Sequence, residues 1–283
     1  MTQASGHPVS IDAATEVYGV IGHPVAHSKS PVMHNQAFAE TGYPGVYAAF
    51  DVTDVAGAAA GIRALGIRGM SVTIPHKVAV MAYLDEIHDQ AREIGAVNTI
   101  VNERGRLIGH NTDGEGAVQA LLEHTTLSGK TVAVLGAGGA ARAVGHGLCS
   151  QGDTRVIFAN RTEKKARHMA RDLGAEFVPI ADLENSRFDI LVNTTPVGMH
   201  PQTQAMAVSE SVLRPGLVVM DIVYNPLETR LLKHARQRGC TVIDGVGMFV
   251  YQGAAQFALW TGRTPPVARM REAVYHTLNP VDN

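Results

Sequence analysis

Thr131-Val-Ala-Val-Leu-Gly-Ala-Gly-Gly-Ala-Ala-Arg142, close to the middle of the chain, decides the fold. A short apolar run leads into three glycines and then into small helix-forming residues, which reads as strand, tight turn and helix. Gly136 allows the turn, Gly138 lets backbone N–H groups approach a ligand, and Ala141 is small enough for the helix to pack on the strand. The start of that helix offers unpaired N–H donors and the positive end of its dipole, which suits a pyrophosphate. A glycine turn alone is weak evidence. The strand before it and the helix after it turn it into a dinucleotide-binding signature.

The next predicted strand, Arg155–Ala159, ends in Asn160-Arg161-Thr162, followed by Lys164 and Lys165. A site for NAD usually places a carboxylate there to hold the ribose 2′-hydroxyl. A carboxylate would repel a 2′-phosphate, whereas Arg161 can grip one bidentately, so the expected cofactor is NADP. The competing reading makes these residues solvated charges at a helix start.

Working outward, strands and helices alternate along the chain, the pattern of an open α/β sheet. Upstream, strands are expected at Val17–Gly22, Val46–Val52 and Met70–Ile74, with helices at Ser30–Glu40, Val55–Leu65, Lys77–Leu84 and His88–Ile94. A hairpin of Val97–Val101 and Arg106–His110 turns at Asn102-Glu-Arg-Gly105. Downstream, a helix over Gly116–Glu123 leads to helices at Ala140–Ser150, Glu163–Leu173 and Leu227–Gln237. Further strands are expected at Phe177–Ile180, Ile190–Asn193, Leu217–Ile222 and Thr241–Ile243. The helices Gln252–Thr261 and Val267–Leu278 follow the last strand and can return to the first domain. The expected organisation is α/β with two domains. An open α/β substrate domain spans residues 17–113 plus 250–283, and a Rossmann-type, doubly wound NADP-binding domain spans residues 114–249. Residues 1–16 read as a disordered tail.

The 283 residues are enough for two cores, and 45% hydrophobic with 18% charged residues is an ordinary globular balance. A net charge of −2 leaves no electrostatic footprint for nucleic acid or an anionic membrane. Cys149 and Cys240 do not form a disulfide framework and point to a reducing, cytoplasmic setting. No apolar run reaches the roughly 20 residues of a membrane span, and the first residues lack the pattern of a secretory signal.

Four polar clusters fall at strand ends and helix starts, where ligands usually lie. They are Gly22-His-Pro-Val-Ala-His-Ser28-Lys-Ser30-Pro31, Ser71-Val-Thr73-Ile-Pro-His-Lys77, Gly95-Ala-Val-Asn98-Thr99 and His110-Asn-Thr-Asp113-Gly-Glu-Gly116. Three further motifs follow the glycine turn: Asn193-Thr-Thr-Pro196, Asp221-Ile-Val-Tyr224, and Asp244-Gly-Val-Gly247 with Gln252 beyond it. Singly each motif is ordinary. In this order, from about Tyr18 to about Gly262, the set closely resembles the shikimate dehydrogenase family.

The resemblance implies a two-domain enzyme, active in the cleft between its domains, that reduces 3-dehydroshikimate to shikimate with NADPH on the way to chorismate and the aromatic amino acids. It implies Lys77 and Asp113 as catalytic residues. Ser28 and Ser30, assisted by Tyr224, would bind the substrate carboxylate, and Thr73, Asn98 and Gln252 its ring hydroxyls. Cofactor contacts would come from Gly136, Ala137, Gly138, Gly139, Ala140, Asn160, Arg161, Thr162, Lys165, Ile222 and Gly245. No metal is implied, and the expected state is a monomer or homodimer.

The chemistry of these residue types agrees. Hydride transfer to a ketone builds negative charge on oxygen, which needs a cation or proton donor in reach. Lys77, just past Pro75 at an expected helix start, is such a group. Asp113 with Thr112 also reads as a helix cap, and Ser28 and Ser30 as capping or loop hydroxyls. His23, His27, His34, His76 and His110 lack metal-site spacing and read as polar loop histidines. Trp260 reads as core, and Met248 as either a packing residue or a neighbour of the nicotinamide. Two other readings stay open: a quinate/shikimate dehydrogenase with relaxed cofactor use, and a non-catalytic NADP-binding regulator.

Overall fold

Alternating apolar segments and glycine-punctuated helices build two sheets in this computed structural model, which describes residues 11–278. The described chain divides into two compact units, residues 11–112 with 253–278, and residues 113–252.

The first unit contains β1 (Glu16–Gly22), α1 (Ser30–Thr41), β2 (Gly45–Asp51), α2 (Val55–Ala64) and β3 (Gly69–Val72). Then come β4 (Glu86–Ile87), α3 (Asp89–Ile94), β5 (Thr99–Glu103) and β6 (Arg106–His110). Its sheet has the order β2-β1-β3-β5-β6-β4. β1 is parallel to β2 and β3, whereas β5 is antiparallel to both β3 and β6. The β5–β6 hairpin turns on Arg104 (φ 55°) and Gly105 (φ 94°), the two consecutive positive dihedrals of a type I′ turn. The Asn102 carboxamide oxygen accepts from the Gly105 N–H at 2.7 Å and holds that turn. α1 opens on Ser30-Pro31 and stops at left-handed Gly42. Ile21, Ile62, Met70, Val72, Ile100 and Leu107 form an apolar core on one face of this sheet.

The second unit begins with α4 (Asp113–Leu122) and β7 (Thr131–Leu135) and continues through α5 (Gly139–Cys149), β8 (Arg155–Ala159), α6 (Glu163–Asp172) and β9 (Glu176–Phe177). β10 (Ile190–Asn193), β11 (Val218–Asp221), α7 (Arg230–Gln237) and β12 (Thr241–Ile243) complete its sheet. All pairings are parallel, in the order β12-β11-β10-β7-β8-β9. The direction of winding reverses between β7 and β10, the point at which such sheets bind ligands. Both faces are covered by apolar clusters, one around Val132, Val134, Phe158 and Val192, the other around Ala133, Leu191, Val219 and Leu232. Glycines permit the closest approaches. A Cβ on Gly145 would stand 2.2 Å from the Phe158 ring, and one on Gly114 only 2.4 Å from the Ala143 carbonyl. α8 (Gly245–Thr261) runs from the second unit into the first, and α9 (Val267–Leu278) packs on α1.

Several sequence expectations change. Lys77–Leu84 is not an α-helix: Lys77 lies in a turn, followed by a 3₁₀ segment at Ala79–Tyr83. Lys77 therefore does not stand at a helix start. Phe177–Ile180 keeps only Phe177 in a strand, because Pro179 ends it and a 3₁₀ turn follows. The helix expected from Gly116 starts at Asp113, and the one expected from Gln252 starts at Gly245. Leu227–Gln237 is helical only from Arg230, where Thr229 caps it. Of the expected tail, residues 1–10 lie outside the described residues. Asp12–Thr15 forms a hydrogen-bonded turn, and Glu16 belongs to β1, where Tyr18 and Arg68 bond its carboxylate.

Candidate functional site

In the first unit the candidate residues gather at one end of the sheet. Thr73 N–H donates to the Ile21 carbonyl at 2.9 Å and Val72 N–H to the Asn98 carbonyl at 2.7 Å. The ends of β1 and β3 therefore meet the start of β5. The Lys77 carbonyl accepts from Val97 N–H at 2.8 Å, which fixes the backbone of Lys77 beside Asn98. Lys77 and Thr73 are half-buried and Asn98 is buried. Gly22 leaves room for Thr73, since a Cβ there would come within 2.5 Å of its methyl group.

Ser28 and Ser30 follow β1 on the loop into α1. The Ser28 hydroxyl accepts from Ser30 N–H at 3.3 Å, so it does contribute to the helix start, although the cap position itself is Lys29. Ser30 is buried and belongs to the first turn. Asn98 is anchored on both sides of its amide: its oxygen accepts from Thr112 N–H at 2.9 Å and its nitrogen donates to the Thr112 hydroxyl at 2.9 Å.

In the second unit the candidate residues occupy the carboxyl ends of the parallel strands. β7 ends at Leu135 and is followed by Gly136 (φ 122°), where any Cβ would strike the Thr194 hydroxyl at 2.6 Å. Gly138 caps α5 without a side chain, and a Cβ there would meet nothing within 4 Å. The open space over an uncapped helix start fits an anion lying on the N–H groups of Gly139 and Ala140, as a pyrophosphate would. Ala137 and Ala140 are half-buried beside it. Beyond β8, the Asn160 amide donates to the Thr162 carbonyl at 3.1 Å, folding that loop back. Arg161, Thr162 and Lys165 are exposed, and Arg161 has no carboxylate partner among the described residues.

Asp113 is buried in the first turn of α4, where the helix dipole favours a carboxylate, rather than outside the helix as a cap. A Cβ on Gly116 would lie 2.7 Å from the Gln252 N–H nitrogen, so α4 and α8 approach closely at that level. The Gln252 amide donates to the Phe249 carbonyl at 2.8 Å. Tyr224, half-buried, packs its ring 4.7 Å from Phe249, and burial pushes its phenol pKa up. A Cβ on Gly245 would come within 2.5 Å of the Ile222 carbonyl, which ties these two residues together.

Two buried polar constructions escaped the sequence reading. One is a knot below the β10 and β11 loops: Asp221 accepts from Asn193 at 2.9 Å, Thr229 at 2.7 Å and Val223 N–H at 3.1 Å. Burial raises the Asp221 carboxyl to about 6 against those hydrogen bonds. The motifs containing Asn193 and Asp221 were visible, but nothing in their spacing paired them. The other surrounds His34, which sits in α1 rather than in a loop, fully buried and stacked on Tyr47 at 4.5 Å. Burial pushes its imidazole down to about 3. Trp260 is half-buried, and its indole N–H donates to the Ile100 carbonyl at 3.0 Å. Met248 is buried in the apolar cluster of the second unit.

Among the described residues no group of His, Cys, Asp and Glu side chains could hold a metal ion, and no helix is long and apolar enough to cross a membrane.

Comparison with known proteins agrees along the chain. Residues 20–100 match the shikimate dehydrogenase substrate binding domain, residues 118–228 the shikimate / quinate 5-dehydrogenase family, and residues 245–275 the shikimate 5′-dehydrogenase C-terminal domain. The shikimate dehydrogenase (NADP(+)) of Geobacillus kaustophilus is 52% identical over 273 residues, covering 93% of this chain and 99% of that protein. A crystal structure of a shikimate dehydrogenase in complex with NADP+ superposes with a TM-score of 0.91 at 45% identity, over 95% of this chain and 98% of that one. The Thermus thermophilus enzyme in complex with NADP(H) and shikimate gives 0.88 at 38% identity, over 93% of this chain and 100% of that one. With this identity over nearly its full length, the chain belongs to the shikimate dehydrogenase family.

Proposed function

We propose that this chain interconverts 3-dehydroshikimate and shikimate using NADPH and NADP+, in the biosynthesis of chorismate and the aromatic amino acids. The observation that carries the reading is the set of hydroxyl, amide and ammonium groups at one end of the first sheet. Ser28, Ser30, Thr73, Lys77 and Asn98 belong to separate segments that the backbone bonds between β1, β3 and β5 bring to that end. A small, polyhydroxylated ring acid is the ligand such a set suits.

When bound, the nicotinamide supplies the hydride that reduces the ketone carbon. The protein must then neutralise the oxygen. Lys77 donates the proton to the developing alkoxide and takes it back in the oxidative direction, and Asp113 serves as the second proton-transfer group. Ser28 and Ser30, with Tyr224, hold the carboxylate, while Thr73, Asn98 and Gln252 hold ring hydroxyls. Gly136, Ala137, Gly138, Gly139 and Ala140 receive the pyrophosphate. Asn160, Arg161, Thr162 and Lys165 take the 2′-phosphate, and Ile222 and Gly245 line the nicotinamide end. Asn160-Arg161-Thr162 at the end of β8, where an NAD site usually carries its carboxylate, supports NADP over NAD. The two free cysteines fit a cytoplasmic enzyme, and a monomer or homodimer is the proposed state.

Initial rates at 340 nm with shikimate or quinate, each against NADP+ or NAD+, test the reading. Turnover is expected to be highest for shikimate with NADP+. Equal efficiency with quinate and NAD+ would favour the relaxed-specificity alternative, and no turnover with any pair would favour a non-catalytic cofactor-binding protein.

A further inference from the structure

A buried polar system in the first unit reaches one of its ligand residues, Asn98, through a side chain with no assigned role. Tyr47 donates its phenol hydrogen to the Ser71 hydroxyl at 2.6 Å, and Ser71 donates to the Gln256 amide oxygen at 2.7 Å. The Gln256 nitrogen donates to the Thr99 hydroxyl at 2.9 Å and to the Asn98 carbonyl at 3.2 Å. Thr99 in turn donates to the Asn98 amide oxygen at 2.7 Å, and Asn98 reaches Thr112, the residue before Asp113. Ser71, Asn98, Thr99, Thr112 and Gln256 are all buried, Gln256 to within 1% of complete.

The direction of this relay is fixed by the backbone. A carbonyl can only accept, so the Asn98 carbonyl forces the Gln256 nitrogen toward it and leaves the Gln256 oxygen facing Ser71. Ser71 has one hydrogen and must spend it there. Tyr47 must then donate to Ser71. At the far end, Thr112 N–H fixes the Asn98 amide in the same manner. Each group polarises the next, and no member can rotate without leaving another buried and unpaired.

We propose that Gln256 is a positioning residue for substrate, which through Thr99 and the Asn98 backbone sets the Asn98 amide without touching the ligand. The proposal rests on the reading of Asn98 as a substrate ligand given above. Gln256 lies one helical turn past Gln252 on α8, so one helix would supply a direct ligand and the support of another.

The test compares Gln256→Met, which keeps the length and removes the polarity, with Asn102→Ala as a structural control. Asn102 is also buried on β5 and bonds the Ile62 and Ile67 carbonyls, outside the relay. Steady-state constants, thermal unfolding, and calorimetric binding of shikimate are measured for both and for the parent. In Gln256→Met, the KM and Kd for shikimate are expected to rise about tenfold and kcat to fall about tenfold, with the KM for NADP+ unchanged. Asn102→Ala should lower Tm while leaving all three constants within about twofold. Unchanged shikimate KM and Kd in Gln256→Met would overturn the proposal, as would changes of equal size in Asn102→Ala. Should Gln256→Met fail to fold, Ser71→Ala, which cuts the relay by one oxygen, must shift the shikimate constants in the same direction or the proposal fails. A parent protein that neither binds nor oxidises shikimate would overturn the underlying functional reading, a result distinct from a variant that matches an active parent.

Discussion

The two sheets solve burial in opposite ways. In the second unit six parallel strands are covered on both faces by hydrocarbon, and the buried polar side chains concentrate in the Asn193–Asp221–Thr229 knot under two loops. In the first unit the sheet mixes directions, and Tyr47, Ser71, Asn98, Thr99 and Gln256 form a polar seam within it. A parallel sheet wound from βαβ units can deliver a ligand site from loops alone, because every strand ends at the same edge. The first unit, on the function proposed above, binds a small ring acid with side chains on the segments that flank its strands, Ser28, Ser30, Thr73, Lys77 and Asn98. Those side chains need orientation from below as well as above.

The largest test of this contrast is Lys77→Ala. If the polar end of the first unit is the chemical end, kcat should fall about a thousandfold or more while Tm and the NADP+ dissociation constant stay unchanged. A drop of only a few fold would remove Lys77 from the proton-transfer role. Next in size, Phe158→Ala in the apolar core of the second unit should cost about 3–5 kcal/mol of stability, read from urea unfolding. Its shikimate KM, measured where the protein is still folded, should barely move. A large KM change there would show that the apolar core also positions substrate, and the contrast would fail.

Much of this was legible in the residues, for physical reasons that differ between the units. β7 and β8 end where their apolar runs end, because a strand buried on both faces must be continuously apolar. The glycine turn was legible because Gly136 and Gly138 meet steric needs that other residues cannot. What could not be read was anything decided by a distant partner. Lys77–Leu84 has helical composition, yet its backbone is taken by Val97 and the segment closes as a turn and a 3₁₀ helix. His34 has the polarity of a loop residue but is stacked on Tyr47, thirteen positions away and on another element. Gln256 resembles any polar residue on an amphipathic helix until Ser71 and Thr99 arrive from the sheet. Local periodicity reports which face is buried, not which buried polar groups find each other.

The exposed rim of the second unit gives a smaller effect. Arg161→Ala should raise the KM for NADP+ about ten- to a hundredfold and leave that for NAD+ unchanged, since on the proposed assignment only the 2′-phosphate would meet the guanidinium. Stability should not change, because Arg161 is exposed. An equal loss for both cofactors would reassign Arg161 to the shared part of the dinucleotide.

The finest probe sets one buried base against one buried acid. The native His34 imidazole is pushed to about 3, below the 6.5 of an ordinary histidine. Between those values the unfolded chain binds a proton that the native chain does not. This group therefore weakens the fold as pH falls, by about 1.4 kcal/mol per pH unit. Asp221 is raised to about 6 from 3.8, so between these values the native chain holds the extra proton, and the same fall in pH strengthens the fold. From pH 6 to pH 4 the two slopes oppose each other. His34→Phe, which keeps a ring against Tyr47, should leave a protein whose stability rises from pH 7 to pH 4 relative to the parent. Asp221→Asn, whose amide can still accept from Val223 N–H and donate to Thr229, should do the reverse. Urea midpoints at four or five pH values measure both differences. Parallel curves for parent and His34→Phe would mean that the base in the first unit is not held neutral by burial, and the polar seam around it would then be open to water.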